Sequence, residues 1–302
     1  MKLRRFYTKQ KKRHSRLRHA VPGELRRQGV TLNNKLALVY NSFRKPNHQS
    51  SYDNIYHCCI QKTGSVWIGQ IMADPIIFKY SGLSVYNFLG KPRSRQTDPI
   101  TYINKPFPPN SIVSSLKISK DNFLSEIPKR ATPYKVFFVF RDPRELIVSW
   151  YHSTKKNHLF DKDSKMAGVR KQLLSLSQED GLTFTIDHFQ DKGKFALLNS
   201  WAKYSAENFL PVKYEDLITD PIVQFRKLFL WLDVQIPERE FVDLLNAYSF
   251  ENLTGRPIGS VDTESHMRGG GQSSWESQLT EDHLAHIYEL TDDLITDLGY
   301  LK

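Results

Sequence analysis

Two stretches of the chain decide its fold: residues 56–67 read YHCCIQKTGSVW, and residues 137–149 read FFVFRDPRELIVS. In each stretch an apolar run stops at a cation, small or helix-starting residues follow, and a helical pattern begins. A helix N-terminus carries unpaired backbone N–H groups and a partial positive charge, so it binds phosphate well. Two such strand-to-helix turns predict a ligand that carries phosphate groups in two places.

The first stretch contains a lysine next to a flexible turn. Lys62 comes directly before Thr63, Gly64 and Ser65. Gly64 lets the backbone approach an anion closely, and the two hydroxyl groups can donate to its oxygens. Trp67 lies close behind and offers a flat face for a base. The stretch is not a Walker A loop, because that motif places a glycine-rich run before the lysine.

The second stretch contains an arginine at the tip of a strand. Asp142 is predicted as the N-cap of the following helix, Pro143 as its first residue and Glu145 as the capping-box partner. The guanidinium of Arg141 is suited to bidentate phosphate binding. Ser149 falls about two turns into the helix. Arg141 and Ser149 can therefore reach one phosphate only if the ligand lies along this helix.

These residues resemble the sulfotransferase family. Residues 61–67 are similar to the family's 5′-phosphosulfate loop, and residues 141–149 are similar to its 3′-phosphate segment, with the same Arg-to-Ser spacing. Two further segments agree, in the same order. Residues 212–217, VKYEDL, resemble the family's Tyr-Glu-Asp-Leu strand end, and residues 266–271, HMRGGG, with Trp275 after them, resemble its C-terminal Arg-Lys-Gly loop.

The resemblance implies in-line transfer of a sulfuryl group from 3′-phosphoadenosine-5′-phosphosulfate (PAPS) to an acceptor hydroxyl or amine. The product nucleotide is then 3′-phosphoadenosine-5′-phosphate (PAP), and no metal is needed. By resemblance, Lys62 stabilises the charge on the leaving 5′-phosphate, and Ser149 helps to position Lys62. The implied cofactor contacts are 5′-phosphate donors (Thr63, Gly64, Ser65 and Val66), 3′-phosphate contacts (Arg141, Ser149, Arg268, Gly269 and Gly270) and adenine contacts (Trp67 and Tyr214).

The sequence departs from the family pattern in three places. Gln61 replaces the usual proline, and Gly269 replaces the usual lysine of the C-terminal loop. Residues 112–119 contain no histidine, although many members place a general base there. Lys117 lies nearest that position and is a candidate catalytic residue. It can act as a base only where its neutral form is favoured, and otherwise as an electrostatic stabiliser. The general base is not assigned.

The positive charge of the chain is concentrated at its N-terminus. Residues 1–30 hold 11 Lys and Arg against the single acid Glu24, a net charge of +10. The whole chain carries +11, which leaves +1 for residues 31–302. We predict a basic, flexible arm over residues 1–30 and a sulfotransferase-like α/β domain over residues 31–302. The arm can contact an anionic membrane or another polyanion, and it contains no motif for sequence-specific nucleic acid binding.

Composition and cysteine content indicate an ordinary globular protein. The 302 residues are 39% hydrophobic and 25% charged, and no apolar run reaches the ~20 residues of a membrane span. Basic residues at the N-terminus lack the apolar segment of a secretory signal. Cys58 and Cys59 are neighbours on a predicted strand and point to opposite faces, so a mutual disulfide is not expected. We expect a cytoplasmic protein that can also lie at a membrane surface.

The order of apolar runs predicts the fold class. Four near-continuous apolar runs indicate strands buried on both faces, and helical patterns alternate with them. The prediction is a three-layer α/β domain with a central parallel sheet flanked by helices. This agrees with the P-loop-like fold that the resemblance implies. The predicted strands cover residues 56–60, 112–118, 135–140 and 209–213, and the predicted helices cover residues 66–73, 143–156, 195–207, 221–232 and 281–298, the last capped by Thr280.

Three stretches are predicted to be irregular. Residues 86–110 and 155–190 are candidates for acceptor recognition, because loops on a rigid α/β scaffold commonly carry substrate contacts. Residues 255–274 are rich in glycine and are expected to close over the nucleotide. The acceptor stays open among a carbohydrate, a lipid headgroup, a phenol and a peptide tyrosine.

Two other functions remain open at this stage. One is a non-catalytic module that binds a nucleotide or polyanion, which the missing histidine favours. The other is an ATP-dependent small-molecule kinase. The missing Walker A glycines and the lack of an obvious metal-holding aspartate disfavour the kinase.

Overall fold

Five parallel strands form the centre of the structure. The computed structural model describes residues 23–88, 106–127, 133–157, 165–257, 259–260 and 275–301. The strands pair in the order β2-β3-β1-β4-β5, and every neighbouring pair is parallel. Their bounds are Asn54–Cys59 (β1), Ser84–Asn87 (β2), Ser111–Leu116 (β3), Tyr134–Phe140 (β4) and Phe209–Lys213 (β5).

Helices precede, connect and follow these strands. The fifth helix continues into a π-helical turn, Ser153–Asn157. In chain order the described helices are Gly23–Ser42 (α1), Ser65–Met72 (α2), Pro75–Lys79 (α3), Lys120–Glu126 (α4), Pro143–His152 (α5), Lys165–Ser175 (α6), Gln178–Asp191 (α7), Lys194–Ala202 (α8), Tyr214–Thr219 (α9), Pro221–Trp231 (α10), Glu238–Ala247 (α11), Phe250–Thr254 (α12), Glu281–Thr291 (α13) and Leu294–Asp297 (α14).

The sheet carries a separate apolar core on each face. Ile55 and Cys59 point to the face covered by α2, α10 and α11. Tyr56 and Cys58 point to the opposite face, which α5, α7 and α8 cover. Alternate residues of one strand are thus buried on both sides, as the continuous apolar runs predicted. The three-layer α/β architecture with a P-loop-like central parallel sheet is confirmed.

The strand order creates a crevice between β1 and β4. These two strands are neighbours, but the helices that follow them leave toward opposite faces of the sheet. The core residues of α2 lie on one side, and those of α5 lie on the other. In open parallel sheets, ligands bind in the crevice at such a switch point, outside the carboxyl ends of the strands. Both phosphate-binding stretches predicted from the sequence therefore reach the same crevice.

One extra residue interrupts the pairing of β3 with β1. His57 pairs with Ser114, but the next residue, Cys58, pairs with Leu116. Ser115 is the inserted residue, and its φ of 61° lies in the left-handed region. This is a β-bulge, which locally changes the face to which later side chains point.

The four predicted strands are confirmed, with ends that differ by at most two residues. Strand β2 was missed, because it has only four residues and its last two lie in the stretch predicted to be irregular. Most of that stretch, residues 89–105, lies outside the described residues. The prediction of irregular structure over residues 155–190 was wrong, since α6 and most of α7 form there. Their apolar stripe, which includes Leu182, Ile186 and Phe189, is diluted by charged residues in the sequence.

The C-terminal helix begins where the sequence predicts. Thr280 is its N-cap and forms a capping box with His283. The helix is broken at Asp292, which has a φ of 52°, so α13 and α14 replace the single helix predicted up to residue 298. Gly299 follows with a left-handed φ of 76°, as expected for a stop.

The N-terminal helix begins inside the segment predicted as the basic arm. Helix α1 starts at Gly23, and residues 1–22 lie outside the described residues. Within the described part of the chain, no helix has the length and apolar character needed to cross a membrane. Cys58 and Cys59 are both buried and both free.

One lysine lies inside the helical layer on the α5 side. The Lys194 side chain is only 5% exposed, and its ammonium lies 4.2 Å from the ring centroid of Phe189 and 4.6 Å from that of Trp150. Burial, with a smaller contribution from the Lys192 ammonium, lowers the pKa of Lys194 from 10.5 to about 7. The two ring faces offset only part of the cost of taking the charge out of water.

Substitution Lys194→Met should stabilise the fold, most strongly at and below neutral pH. Below about pH 7 the amine is protonated in both states, so the burial penalty is fully present. As the pH rises from about 7 toward 10.5, the folded state loses the proton first and wild-type stability rises. We expect a gain for the variant on the order of 1–2 kcal/mol near pH 6, shrinking near pH 9. Urea unfolding at both pH values measures the difference in the free energy of unfolding. Lys171→Met, at an exposed position of α6, is the control. An equal gain at both pH values would contradict the burial argument.

Candidate active site

The loop after β1 holds two left-handed residues next to the start of α2. Lys62 has a φ of 72°, and Gly64, the N-cap of α2, has a φ of 68°. Left-handed turns of this kind direct backbone N–H groups toward one side, where an anion can bind. No side chain caps the first N–H groups of α2. The backbone N–H groups at the start of α2 are therefore donors of the type that bind a phosphate group.

Gly64 lies beneath two aromatic rings. A Cβ atom at this position would lie 2.7 Å from Cε2 of Tyr214 and 3.6 Å from Cε3 of Trp67. The close approach and the left-handed φ both require glycine here. The rings of the two predicted adenine contacts are thus brought together over the predicted 5′-phosphate loop.

The hydroxyl group of Thr63 makes a hydrogen bond within its own loop. Thr63 is fully buried, and its Oγ1 donates to the carbonyl oxygen of Ile60 at 2.8 Å. In this structure the hydroxyl proton is used to hold the loop, and donation by this group to a phosphate stays a prediction. The backbone N–H of Thr63 is the group that remains suited to the predicted contact. Ser65 is half-buried, and Val66 is exposed at the start of α2.

Trp67 is fixed by contacts at its edge. Its Nε1 donates to the carbonyl oxygen of Tyr248 at 2.8 Å, and its ring meets Phe225 edge to face, with centroids 5.3 Å apart. These contacts hold the indole in one orientation beside the loop. An aromatic ring positioned in this way is suited to stacking against a base.

Arg141 connects the two predicted phosphate-binding segments. Its Nη1 donates to the carbonyl oxygen of Lys62 at 3.4 Å, and its guanidinium carbon lies 4.9 Å from the ring centroid of Tyr214. The side chain is buried at the end of β4. The loop after β1, the tip of β4 and the end of β5 therefore meet at one guanidinium.

Two carboxylates that sequence reasoning did not place in the site hold this guanidinium. Glu145 accepts from Arg141 Nη2 at 2.8 Å, and Glu215 lies with its Oε1 3.7 Å from Arg141 Nε. Arg141 Nε itself is buried and makes no hydrogen bond within the described part of the chain. The Arg141–Glu145 spacing of four residues on a helix start was a visible signal. The Glu215 contact depends on the adjacency of β4 and β5, which no local pattern shows.

The predicted capping-box role of Glu145 is replaced by other contacts. The backbone N–H of Asp142 donates to Glu215 at 3.4 Å, while Glu145 Oε1 accepts from the backbone N–H of Trp275 at 2.9 Å. Asp142 is the N-cap as predicted, because its carboxylate accepts from the N–H of Arg144 at 2.9 Å. Glu145 therefore links Arg141 to the residue that directly follows the glycine-rich C-terminal stretch.

Glu215 lies in a partly apolar position. Burial raises the pKa of Glu215, although the Tyr300 hydroxyl, which donates to it at 2.7 Å, and the Arg141 guanidinium act in the opposite direction. The same buried pairing raises the pKa of Tyr300. Both neighbours thus favour the ionised form of Glu215 and oppose the effect of its burial.

Lys117 follows β3 at the same edge of the sheet. Its ammonium acts on two groups of β1: burial and, secondly, the Lys117 charge lower the pKa of His57 to about 3. Burial raises the pKa of Cys59, and the Lys117 charge opposes that change. Lys117 therefore lies close to the end of β1, where the loop with Lys62 begins.

A histidine does lie near this edge, but in β1 and not in β3, where many family members place the general base. His57 in β1 is fully buried, stacks on Phe137 with ring centroids 4.8 Å apart, and shares a 3.2 Å hydrogen bond between Nδ1 and Ser114 Oγ. Its Nε2 has no hydrogen-bond partner among the described residues. Because the imidazole ring is fully buried, it is not accessible to an acceptor substrate bound at the surface.

Of the remaining predicted site residues, one lies on α5 and three lie outside the described residues. Ser149 is half-buried on α5, two turns after Arg141. Arg268, Gly269 and Gly270 lie outside the described residues, as does most of the stretch 255–274. Among the described residues, no group of three or more His, Cys, Asp or Glu side chains is arranged to hold a metal ion.

Comparison with known proteins agrees with this geometry. The sulfotransferase domain profile matches residues 53–299. Cytosolic sulfotransferase 7 of Arabidopsis thaliana is 26% identical over 181 residues, which cover 55% of this chain and 51% of that protein. Flavonol 3-sulfotransferase of Flaveria bidentis is 22% identical over 196 residues, which cover 56% and 57%. The chain spans about half the length of the curated relatives it matches.

Solved structures show the same fold. A mouse sulfotransferase complexed with PAP aligns with a TM-score of 0.55 and 15% identity, covering 87% of this chain and 92% of that one. A retinol dehydratase in complex with androsterone and the inactive cofactor PAP aligns with a TM-score of 0.51 and 14% identity, covering 82% of each chain. Since the domain profile matches most of its length, the chain belongs to the sulfotransferase family.

Substitution Gly64→Ala should destabilise the fold by about 1–3 kcal/mol, because it forces a left-handed φ and a contact with Tyr214. Urea unfolding measures the change. In the double variant with Tyr214→Ala, the steric contact is gone but the strained left-handed φ remains. The free-energy changes of the two substitutions should therefore be non-additive. Gly168→Ala is the control, since a Cβ there meets nothing within 4 Å. Unchanged stability in Gly64→Ala would contradict the described turn.

Proposed function

We propose that this chain transfers a sulfuryl group from PAPS to an acceptor hydroxyl or amine by in-line displacement. The observation that carries the proposal is the meeting of two cation-bearing strand-to-helix turns at one crevice. Arg141 bonds directly to the Lys62 carbonyl, and the Tyr214 ring lies between Arg141 and Gly64. Family membership and the PAP named in the structural neighbours support the same nucleotide.

The residues present fit such a nucleotide at its 5′ end. The left-handed turn at Lys62 and Gly64, the uncapped start of α2 and the cation of Lys62 are the groups that a 5′-phosphate needs. Backbone N–H groups of Thr63, Gly64, Ser65 and Val66 would hold it. The Lys62 ammonium would stabilise the negative charge that grows on the bridging oxygen during transfer. Trp67 and Tyr214 would contact the adenine.

The 3′ end would be held from the β4 side. Arg141 has a buried Nε without a hydrogen bond and a guanidinium fixed by Glu145 and Glu215. Buried polar groups without a partner are rare and recur at functional sites. We assign the 3′-phosphate to Arg141 and Ser149, with Arg268, Gly269 and Gly270 as further contacts.

Lys117 is proposed as a second cation of the site, beside the end of β1. Its effect on the pKa values of His57 and Cys59 supports this position. His57 is not proposed as the general base, because it is fully buried and its pKa of about 3 leaves it a weak base. The base stays unassigned.

The acceptor is proposed as a hydroxyl or amine group of a small molecule. Relatives named for a flavonol, for luciferin and for an amine support this class. Whether the acceptor belongs to a phenol, a carbohydrate, a lipid headgroup or a peptide tyrosine stays open. A cytoplasmic location and contact of the basic arm with a polyanion also remain proposals.

Lys62→Ala should abolish turnover while leaving part of the nucleotide affinity. Removing one preorganised charge from a transition state typically costs a factor on the order of 100 or more in rate. PAP release from PAPS is measured with a simple phenol and a simple amine as acceptors, and PAP binding is measured by calorimetry without metal. Lys171→Ala on α6 serves as the control. If the wild type shows no turnover and Lys62→Ala only loses PAP affinity, the chain is a binding module. If the wild type prefers ATP with magnesium over PAP, the chain is a kinase.

Arg141→Ala should weaken discrimination for the 3′-phosphate. We expect the ratio of PAP to AMP affinity to fall at least about tenfold, because charged hydrogen bonds to one phosphate are lost. Calorimetric titration with both nucleotides measures the ratio. Arg141→Lys keeps a charge beside Glu145 and Glu215 and tests whether the effect comes from loss of folding. Lys171→Ala, at an exposed position of α6, is the control. Equal weakening toward PAP and AMP would contradict the assignment.

A further inference from the structure

Helix α1 presents an apolar stripe to solvent. Five large apolar side chains recur at helical spacing on its outer face, each more than half exposed. They are Leu32 (56%), Leu36 (56%), Val39 (56%), Tyr40 (64%) and Phe43 (85%), the last just beyond the helix end. Spacings of three and four residues place all five on one narrow side of the helix. A contiguous exposed stripe of this kind marks an interaction surface.

The opposite side of α1 is fixed to the domain. Asn34 is buried, donates to the carbonyl oxygen of Asn87 at 2.9 Å and accepts from the N–H of Asn87 at 3.0 Å. Asn41 donates to Ser84 Oγ at 2.9 Å. These bonds to both ends of β2 set the rotation of the helix about its axis. The stripe therefore faces outward because the helix is held that way.

The charge around the stripe has one sign. No Asp or Glu occurs between Glu24 and Asp53, whereas the same stretch holds Arg26, Arg27, Lys35, Arg44 and Lys45. Lys35 is exposed beside the stripe, and the Arg44 guanidinium lies 5.2 Å from the Tyr40 ring centroid. Residues 1–30, directly before the stripe, carry a net charge of +10. An apolar face flanked by cations is the pattern of a helix that lies in a lipid interface.

We infer that the outer face of α1 binds an anionic membrane surface, with its five apolar side chains inserted between lipids and its cations on the headgroups. A second copy of the chain fits less well. The spacing would suit a two-helix seam, but two copies would bring like charges together with no acid to pair them. Anionic headgroups supply the missing countercharge.

The orientation of α1 connects this surface to the proposed site. Asn34 lies beside the end of β2 and Asn41 beside its start, so α1 runs antiparallel to the strands. The N-terminal turns of α1 therefore extend past the carboxyl edge of the sheet, where Lys62 and Arg141 lie. A membrane bound along the stripe would lie to the side of the crevice and leave it open. The surface does not depend on the proposed sulfuryl transfer.

Vesicle flotation with the full chain tests the inference. The probes are vesicles of phosphatidylcholine alone and of phosphatidylcholine mixed with phosphatidylserine. Wild type should bind the anionic vesicles, and the double substitution Leu36→Ser with Phe43→Ser should lower the apparent affinity at least about tenfold. Lys35→Glu should weaken binding to a smaller degree. Leu230→Ser, at a 65% exposed leucine on α10, is the matched control and should bind like wild type.

Other outcomes would overturn the inference. The inference is wrong if the wild type does not bind anionic vesicles. It is also wrong if the double variant binds them as tightly as the wild type, because the contact would then belong to the basic arm alone. A wild-type dimer that the double variant dissolves, in size-exclusion chromatography without vesicles, would assign the stripe to a second copy. PAP binding measured on the same samples keeps this result separate from the proposed function, since every stripe variant should bind PAP like wild type.

Discussion

The buried guanidinium of Arg141 is the contact on which the geometry of the site depends. It bonds to the Lys62 carbonyl after β1, pairs with Glu145 on α5, approaches Glu215 after β5 and lies over the Tyr214 ring. An arginine side chain has five donors in a rigid plane, so one group can fix several loops at once. Burial of that charge is tolerated because two carboxylates compensate it.

These contacts couple the positions of the two phosphate-binding turns. A displacement of the loop around Lys62 changes a bond to Arg141, and a displacement of Arg141 changes the bonds of Glu145. Glu145 in turn holds the backbone of Trp275, and the Arg144 guanidinium lies 4.1 Å from the Trp275 ring centroid. The C-terminal segment is thereby tied to the same helix start as the nucleotide-binding loops. Groups held this firmly need little reorganisation when charge develops.

The sequence predicted the layers, the parallel sheet and the positions of the two turns, because each depends on local patterns of apolar and helix-starting residues. It did not predict β2, which is too short to show a period, or α6 and α7, whose apolar stripe is diluted by charge. Within the site, the sequence placed Lys62 and Arg141 at strand ends correctly. It assigned Glu145 to the backbone of the N-cap residue, whereas the folded chain brings Glu145 to the backbone of Trp275, 130 positions further on. Glu215 and Arg141 are 74 positions apart and meet through strand adjacency.

The bulge at Ser115 determines on which side of the sheet Lys117 lies. Before the bulge, Val113 points to the α5 side; after it, Leu116 and Ile118 point to that side. In a regular strand without the bulge, residues 113, 115 and 117 would share one face, and Lys117 would be directed into the aromatic core around Phe138. The single insertion reverses that parity, so Lys117 points to the α2 side, toward the loop that carries Lys62. The left-handed φ of Ser115 thus keeps a cation on the α2 face of the sheet, and a β-branched residue at this position, which disfavours that φ, would press the strand toward the regular pairing that directs the ammonium into the opposite core.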